Sequence, residues 1–221
     1  MFKLFLEALV KYVLGVLIVG LLLFIPAGSL NYFNGWLLMG VLFIPMFIAG
    51  IILLFKNPKL LRRRLNAREK ESDQKEVLVS SGLMFIVGFI FAGLTYRLDA
   101  LLPNIIAYIA VVIFLIAYLM YALILKQNEF LLRTIEVEKN QKLVDTGFYG
   151  KVRHPMYMIT IILFLMIPLI LGSLVSFVIF LIYPLIIIKR IENEEKVLER
   201  DLKGYKDYEK RVKYRLIPYI W

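Results

Sequence analysis

Residues Gly35–Phe55 read GWLLMGVLFIPMFIAGIILLF, 21 residues without one charged side chain. At about 1.5 Å of rise per residue, this run makes a helix of roughly 32 Å, enough to cross a hydrocarbon core of about 30 Å. Three further runs share that character: Tyr12–Leu30, Val77–Tyr96 and Leu101–Leu125. The polar turn Asn31–Gly35, with its Asn34-Gly35 dipeptide, separates the first two. Two shorter runs follow, Met156–Leu171 and Leu174–Ile188, joined at Gly172-Ser173 and carrying Pro168 and Pro184. As straight helices they reach only about 22–24 Å. They read as a tight, bent hairpin that either stops short of a full crossing or crosses a thinned bilayer.

Composition agrees. Of the 221 residues, 61% are apolar, against roughly 45–50% in a soluble domain. The fold expected is all-α, a polytopic membrane bundle of about six segments with a cytoplasmic helical segment at the C-terminus. The chain has no cysteine and one histidine. That excludes disulfides, thiolate metal centres, cysteine nucleophiles and any two-histidine mechanism.

The charge is 27 Lys+Arg against 17 Asp+Glu, net +10. Six crossings put 26 of the 27 cations on one side, in the N-terminus, Lys56–Glu76, Lys126–Pro155 and Lys189–Trp221, leaving only Arg97 opposite. By the positive-inside rule both termini are expected in the cytoplasm, with the plasma (inner) membrane as location if the source is prokaryotic. Residues 12–26 followed by Ala27-Gly28-Ser29 have the shape of a cleavable leader but are read as a retained anchor. Basic residues beside membrane spans meet anionic lipid more often than nucleic acid, so no nucleic-acid partner is expected.

Residues 1–125 form a four-span region with no catalytic constellation; the run Leu60-Leu61-Arg62-Arg63-Arg64 reads as an interfacial helix. Polar information concentrates in residues 126–221, the expected catalytic region. No GxGxxG, GxSxG or HExxH occurs. What does occur is LVDTGFYGKVRHPMY over Leu143–Tyr157, then KRIENEEKVL over Lys189–Leu198, then Gly204-Tyr205…Tyr208, Arg211-Val212 and Pro218. Asp145–Gly147 is a turn, and Pro155 suits the first position of a helix entering the membrane. Arg153 and His154 then lie at the membrane surface beside the unpaired N–H groups of a helix start, a place that suits an anion. Arg190 and Glu194 share a helix face at i, i+4 on the same edge. Singly, each has an ordinary reading: an interfacial helix start, a snorkelling arginine, a surface ion pair, aromatic interface anchors at Tyr149 and Tyr157. Leu198, Leu202 and Tyr205, with Ile191 and Glu195, are expected to pack against the spans. The order of these elements from Leu143 to Pro218 is harder to dismiss.

That order resembles the isoprenylcysteine carboxyl methyltransferase family and its prokaryotic members, from about Asn128 to Trp221. The resemblance runs through Asn128-Glu129-Phe130, Arg133-Thr134, Gly147-Phe148-Tyr149, Arg153-His154-Pro155-Met156-Tyr157, Glu194-Glu195 and the Tyr205-to-Pro218 ending. It implies a methyltransferase with S-adenosylmethionine as cofactor, in a cytoplasm-facing pocket. Residue by residue it implies cofactor contacts at Gln141, Lys142, Leu143, Val144, Tyr149, His154, Pro155, Met156, Tyr157 and Glu194, and a substrate-facing catalytic Arg190. The chain departs from the family at Met158-Ile159-Thr160, where a glycine is common, and at Thr134, where a cofactor-contacting glutamine aligns. No metal is implied. The partners implied are membrane lipid and a lipophilic small-molecule or lipidated substrate.

The chemistry of the residues is compatible. His154 and nearby N–H groups suit the cofactor carboxylate, Glu194 its positive groups, and Tyr149 or Tyr157 adenine or sulfonium. A carboxylate acceptor is ionised at neutral pH and needs orientation and water exclusion rather than a strong base. Three alternatives stand beside it. A phospholipid or other amine N-methyltransferase would need a proton acceptor. An NADPH-dependent sterol-type reductase would need a basic 2′-phosphate pocket. A non-enzymatic scaffold or channel fits poorly, because the first four spans lack buried ionisable residues.

Overall fold

A computed structural model describes residues 1–65, 72–128, 130, 137 and 141–221, with the side chains of residues 72 and 73 left aside. Nine α-helices occur among them: α1 (Phe2–Ala27), α2 (Phe33–Lys56), α3 (Pro58–Leu65), α4 (Ser72–Arg97), α5 (Asn104–Gln127), α6 (Pro155–Ile170), α7 (Leu174–Phe180), α8 (Tyr183–Asp201) and α9 (Tyr205–Arg211). A 3-10 turn, Gly147–Gly150, precedes α6. Among the described residues, five helical stretches are long and apolar enough to cross a membrane, counting Leu174–Asp201 as one, and α6 is a shorter apolar helix. The protein is a polytopic helical membrane bundle.

The helices overrun the apolar stretches. α1 starts ten residues before Tyr12 and takes in Lys3, Glu7 and Lys11. Backbone hydrogen bonding continues past the hydrocarbon edge, where charged side chains are solvated; exclusion of charge marks the bilayer, not the helix. Lys11 pairs with Glu7 at 2.6 Å and donates to the Leu65 carbonyl at 2.7 Å, fastening α3 to α1. Outward faces stay apolar and exposed, as at Leu14, Leu17, Ile18 and Leu21 of α1 and Ile109, Val112, Ile116 and Leu119 of α5. Water would not tolerate that belt; lipid does.

The hairpin is the informative element. Its tip meets the other two turns at the same end of the bundle. Tyr32 donates to the Leu171 carbonyl at 2.6 Å, Asn34 to the Ile170 carbonyl at 2.8 Å, and the Leu102 amide to the Gly172 carbonyl at 2.8 Å. Thr95 and Ser173 hydroxyls lie 2.7 Å apart, and Ser173 caps α7 by accepting from the Ser176 amide. These bonds pair carbonyls that α6 leaves open at its C-terminus, which lipid could not satisfy. The tip is therefore level with the α1–α2 and α4–α5 turns. With 16 residues, α6 descends only about 24 Å from it. Its N-terminus, His154-Pro155, ends up recessed below the ends of its longer neighbours.

The returning arm is longer than Leu174–Ile188. It runs to Asp201 with a break at Leu181-Ile182, where Pro184 has no N–H for the Phe180 carbonyl. Beyond Ile188 this arm is charged and leaves the apolar layer. Close helix contacts depend on missing side chains. A Cβ on Gly93 would strike the α1 backbone at Leu23 and Ala27, and one on Gly88 the Phe180 ring.

Candidate functional site

Asp145, Thr146 and Gly147 turn the chain as their composition predicts. Gly147 has φ +58°, and a Cβ there would run into Gln127, whose side chain donates to the Thr146 carbonyl at 2.6 Å and accepts from the Phe148 amide at 3.3 Å. The end of α5 thus grips the turn that presents Tyr149. Tyr208 of α9 holds it from the other side, donating to the Tyr149 carbonyl at 2.7 Å. Buried beside Asn128, Tyr149 has its pKa raised by burial, so the phenol remains a neutral donor at neutral pH.

Pro155 is the first helical residue of α6 and His154 its N-cap, as read from sequence. The expected cluster of unpaired amides is smaller than the helix start suggests. Tyr157 and Met158 amides both turn back to the His154 carbonyl, at 3.1 and 3.4 Å, and Pro155 has no N–H. Only the Met156 amide is left without a described acceptor in that turn.

Glu194 and Glu195, adjacent in sequence, face different directions because successive helical residues are about 100° apart. Glu194 faces the Tyr157 hydroxyl, which donates to its Oε2 and accepts from Arg190 Nε at 2.8 Å. Arg190 also lies over the Tyr157 ring, 5.7 Å from its centroid. The i, i+4 pair is therefore bridged by a phenol from α6 rather than being a surface pair.

Glu195 is 3% exposed and is the hub that sequence reasoning assigned only to packing. Its Oε1 receives Arg153 Nε at 2.7 Å and faces His154 Nε2 at 3.1 Å, and its Oε2 receives Arg215 Nε at 2.7 Å. Arg153 and His154 amides donate to the Tyr214 and Arg215 carbonyls at 2.9 and 2.8 Å, and Arg153 Nη1 to the Val212 carbonyl at 3.0 Å. The C-terminal segment is so tied across the start of α6. The only sequence signal was a doubled glutamate beside a basic ending.

Leu198, Leu202 and Tyr205 do not pack against the spans. Leu202, Tyr205, Tyr208 and Val212 form a small cluster with Leu143, Leu198 and Val137, because α8 stops at Asp201 and Gly204, at φ +87°, turns the chain back. Only Ile191 joins the main core.

Between these parts lies an open cleft enclosing about 810 Å³, its mouth included. Gln141, Lys142, Leu143 and Val144 form one wall; Tyr149, His154, Pro155, Met156 and Tyr157 form another; Glu194 comes from α8. All ten candidate cofactor residues meet there. Arg190 is joined to them through Tyr157 and is not itself in the lining. The cleft adds Asn128, Phe130, Arg153, Val197, Leu198, Leu202, Tyr205 and Tyr208, which the sequence did not single out as lining residues. Glu129 and Arg133-Thr134, part of the resemblance, lie outside the described residues. Among the described residues no group of acidic, histidine or cysteine side chains is placed to hold a metal.

The fold and cleft define a class: a multi-pass membrane protein with a recess of mixed polar and apolar lining at its charged end. Residues 107–200 match the model of the isoprenylcysteine carboxyl methyltransferase (ICMT) family. A Delta(14)-sterol reductase of Mus musculus is 31% identical over 93 residues, covering 41% of this chain. The chain spans about a fifth of that relative, the match covering 22% of its length.

Proposed function

We propose that the protein transfers a methyl group from S-adenosylmethionine to a lipophilic acceptor at the membrane, most simply a carboxylate. The observation that carries this reading is the convergence of the ten candidate residues on one cleft coupled to Arg190. Residues 126–221 hold the cofactor and the catalytic arginine, and residues 1–125 frame them. The donor set fits the cofactor: a carboxylate for positive groups at Glu194, a neutral phenol at Tyr149, and apolar side chains at Leu143, Val144 and Met156 for a flat base.

When bound, S-adenosylmethionine supplies a methyl group activated on a sulfonium. The chain's own work is placement. Tyr157 fixes the Arg190 guanidinium, which orients the acceptor carboxylate, and the recess below the helix ends excludes water. No proton has to move, because a carboxylate is already ionised at neutral pH. Glu194 Oε2 is engaged by Tyr157, and His154 Nε2 faces Glu195. Both arrangements favour an acceptor that needs no base over an amine.

Binding of radiolabelled S-adenosylmethionine and of NADPH to the solubilised full chain tests the cofactor, since the Mus musculus relative is named a reductase. His154→Ala and Glu194→Ala should weaken S-adenosylmethionine binding, while Arg190→Ala mainly lowers transfer. Wild-type affinity in both of the first two variants, or NADPH binding in place of S-adenosylmethionine, would reject the reading.

A further inference from the structure

The arginines of α3, read from sequence as an interfacial charge run, do not all point to solvent. Arg63 stacks on Phe130, a cleft-lining ring, at 5.8 Å. Arg64 reaches inward to α5, donating from Nη1 to the Tyr121 hydroxyl at 3.2 Å and lying 5.8 Å from that ring's centroid. Its Nε and Nη2 are buried and have no partner among the described residues. A buried guanidinium with open N–H groups is costly unless an acceptor, best an anionic one, completes it.

Two further side chains, on α8 and α4, carry atoms unpaired among the described residues. Asn193, one turn beyond Arg190, also buries an amide nitrogen without a described partner. Gln74, fully buried at the start of α4, donates toward the Arg190 carbonyl at 3.4 Å, and its Oε1 is the one open acceptor among these groups. α3 itself carries no acid. Arg64 and Arg190 approach the same group of tyrosines from different helices. The Arg64 charge acts on the Tyr149 hydroxyl, Arg190 holds Tyr157, and both Arg190 and Tyr121 lie within electrostatic reach of Tyr183.

We propose that Arg64, aimed by Tyr121, is an anion subsite for the head group of a membrane-borne acid, and so selects anionic acceptors over neutral or cationic ones. It rests on the methyltransferase reading only in calling that acid the acceptor. The subsite comes from α3, outside the family-matched residues 107–200, and gives the N-terminal region a part in substrate choice.

The test uses full-length protein in zwitterionic nanodiscs and three pyrene-labelled C16 probes: a fatty acid, the alcohol and the amine. Wild type should bind the acid about tenfold or more tightly than the alcohol, the size of one charge-assisted hydrogen bond. Arg64→Gln should bring the acid down to the alcohol's affinity. Tyr121→Phe, which keeps the guanidinium but removes its anchor, should lie between, and it decides the matter if Arg64→Gln does not fold. Lys59→Gln, an exposed cation on the same helix, should change nothing. Equal acid and alcohol binding in wild type, wild-type selectivity in Arg64→Gln, or an equal loss in Lys59→Gln would overturn the subsite. Displacement of the acid by equimolar butyrate would overturn its membrane-borne source. S-adenosylmethionine affinity is measured in parallel. Arg64-dependent acid binding without any cofactor binding would refute the methyltransferase reading and leave the subsite standing.

Discussion

Tyr157 gives its hydroxyl hydrogen to Glu194 and receives one from Arg190, so a single phenol oxygen sets the spacing of two charged side chains on α8. Tyr157→Phe keeps the ring and removes the bridge. Transfer should fall about tenfold, near the cost of one hydrogen bond to a charged group, while cofactor affinity changes less; single-turnover rates beside calorimetry separate the two. Glu195 carries a different burden. Glu195→Gln leaves Arg153 and Arg215 without their shared carboxylate and should destabilise the fold by about 3–5 kcal/mol, as when one partner of a buried ion pair is removed. Lys189→Ala breaks an exposed pair with Glu76, 56% and 72% exposed, and should leave the unfolding midpoint unmoved. Thermal unfolding in detergent compares them, and an equal effect of the two would contradict Glu195 as the hub.

At the scale of elements, the glycine turn and the hairpin tip matter most. Gly147→Ala must hold φ +58° with a Cβ against Gln127, whereas a Cβ on Gly150 meets only the Asp145 carbonyl at 3.4 Å. Gly147→Ala should therefore expose the 141–150 segment to protease and weaken cofactor binding, and Gly150→Ala should do neither. At the tip, Tyr32→Phe strands the Leu171 carbonyl and should cost about 1–3 kcal/mol, read as a lowered unfolding midpoint with ligand binding retained. The recess of the cleft follows from the same tip. A short α6, pinned level with the other turns at one end, cannot reach the surface at the other.

For the whole molecule, the charge distribution sets the orientation we propose, with both termini in the cytoplasm. The chain's lack of cysteine makes the check direct. Single cysteines at Lys59 and Lys206 should be labelled from the cytoplasmic side only, and at Asn31 and Asp99 from the outside only. Labelling of Lys206 from outside would invert the map and the cleft with it. The acceptor's chemistry reads out as pH dependence. With a carboxylate of pKa about 4–5, the single-turnover rate at saturating cofactor should stay nearly flat from about pH 6.5 to 9. A steep alkaline rise, with a product stable to mild base, would assign an amine instead.

Apolar length and exclusion of charge were enough to find each apolar helix among the described residues, because a bilayer imposes its thickness on any chain that crosses it. They left the helix ends at Phe2 and Asp201 open, since nothing in hydrocarbon thickness stops a helix in water. The family resemblance implied the ten residues that converge on the cleft, and Pro155 marked the start of α6 through its own backbone chemistry. Sequence reasoning assigned Glu195 only a packing role; that it gathers Arg153, His154 and Arg215 while Glu194 faces Tyr157 follows from a rotation about α8. Nor could it bring Arg64 inward to Tyr121, 57 residues away. Local propensity and burial are written along the chain, whereas which charge meets which partner is decided only when distant helices pack.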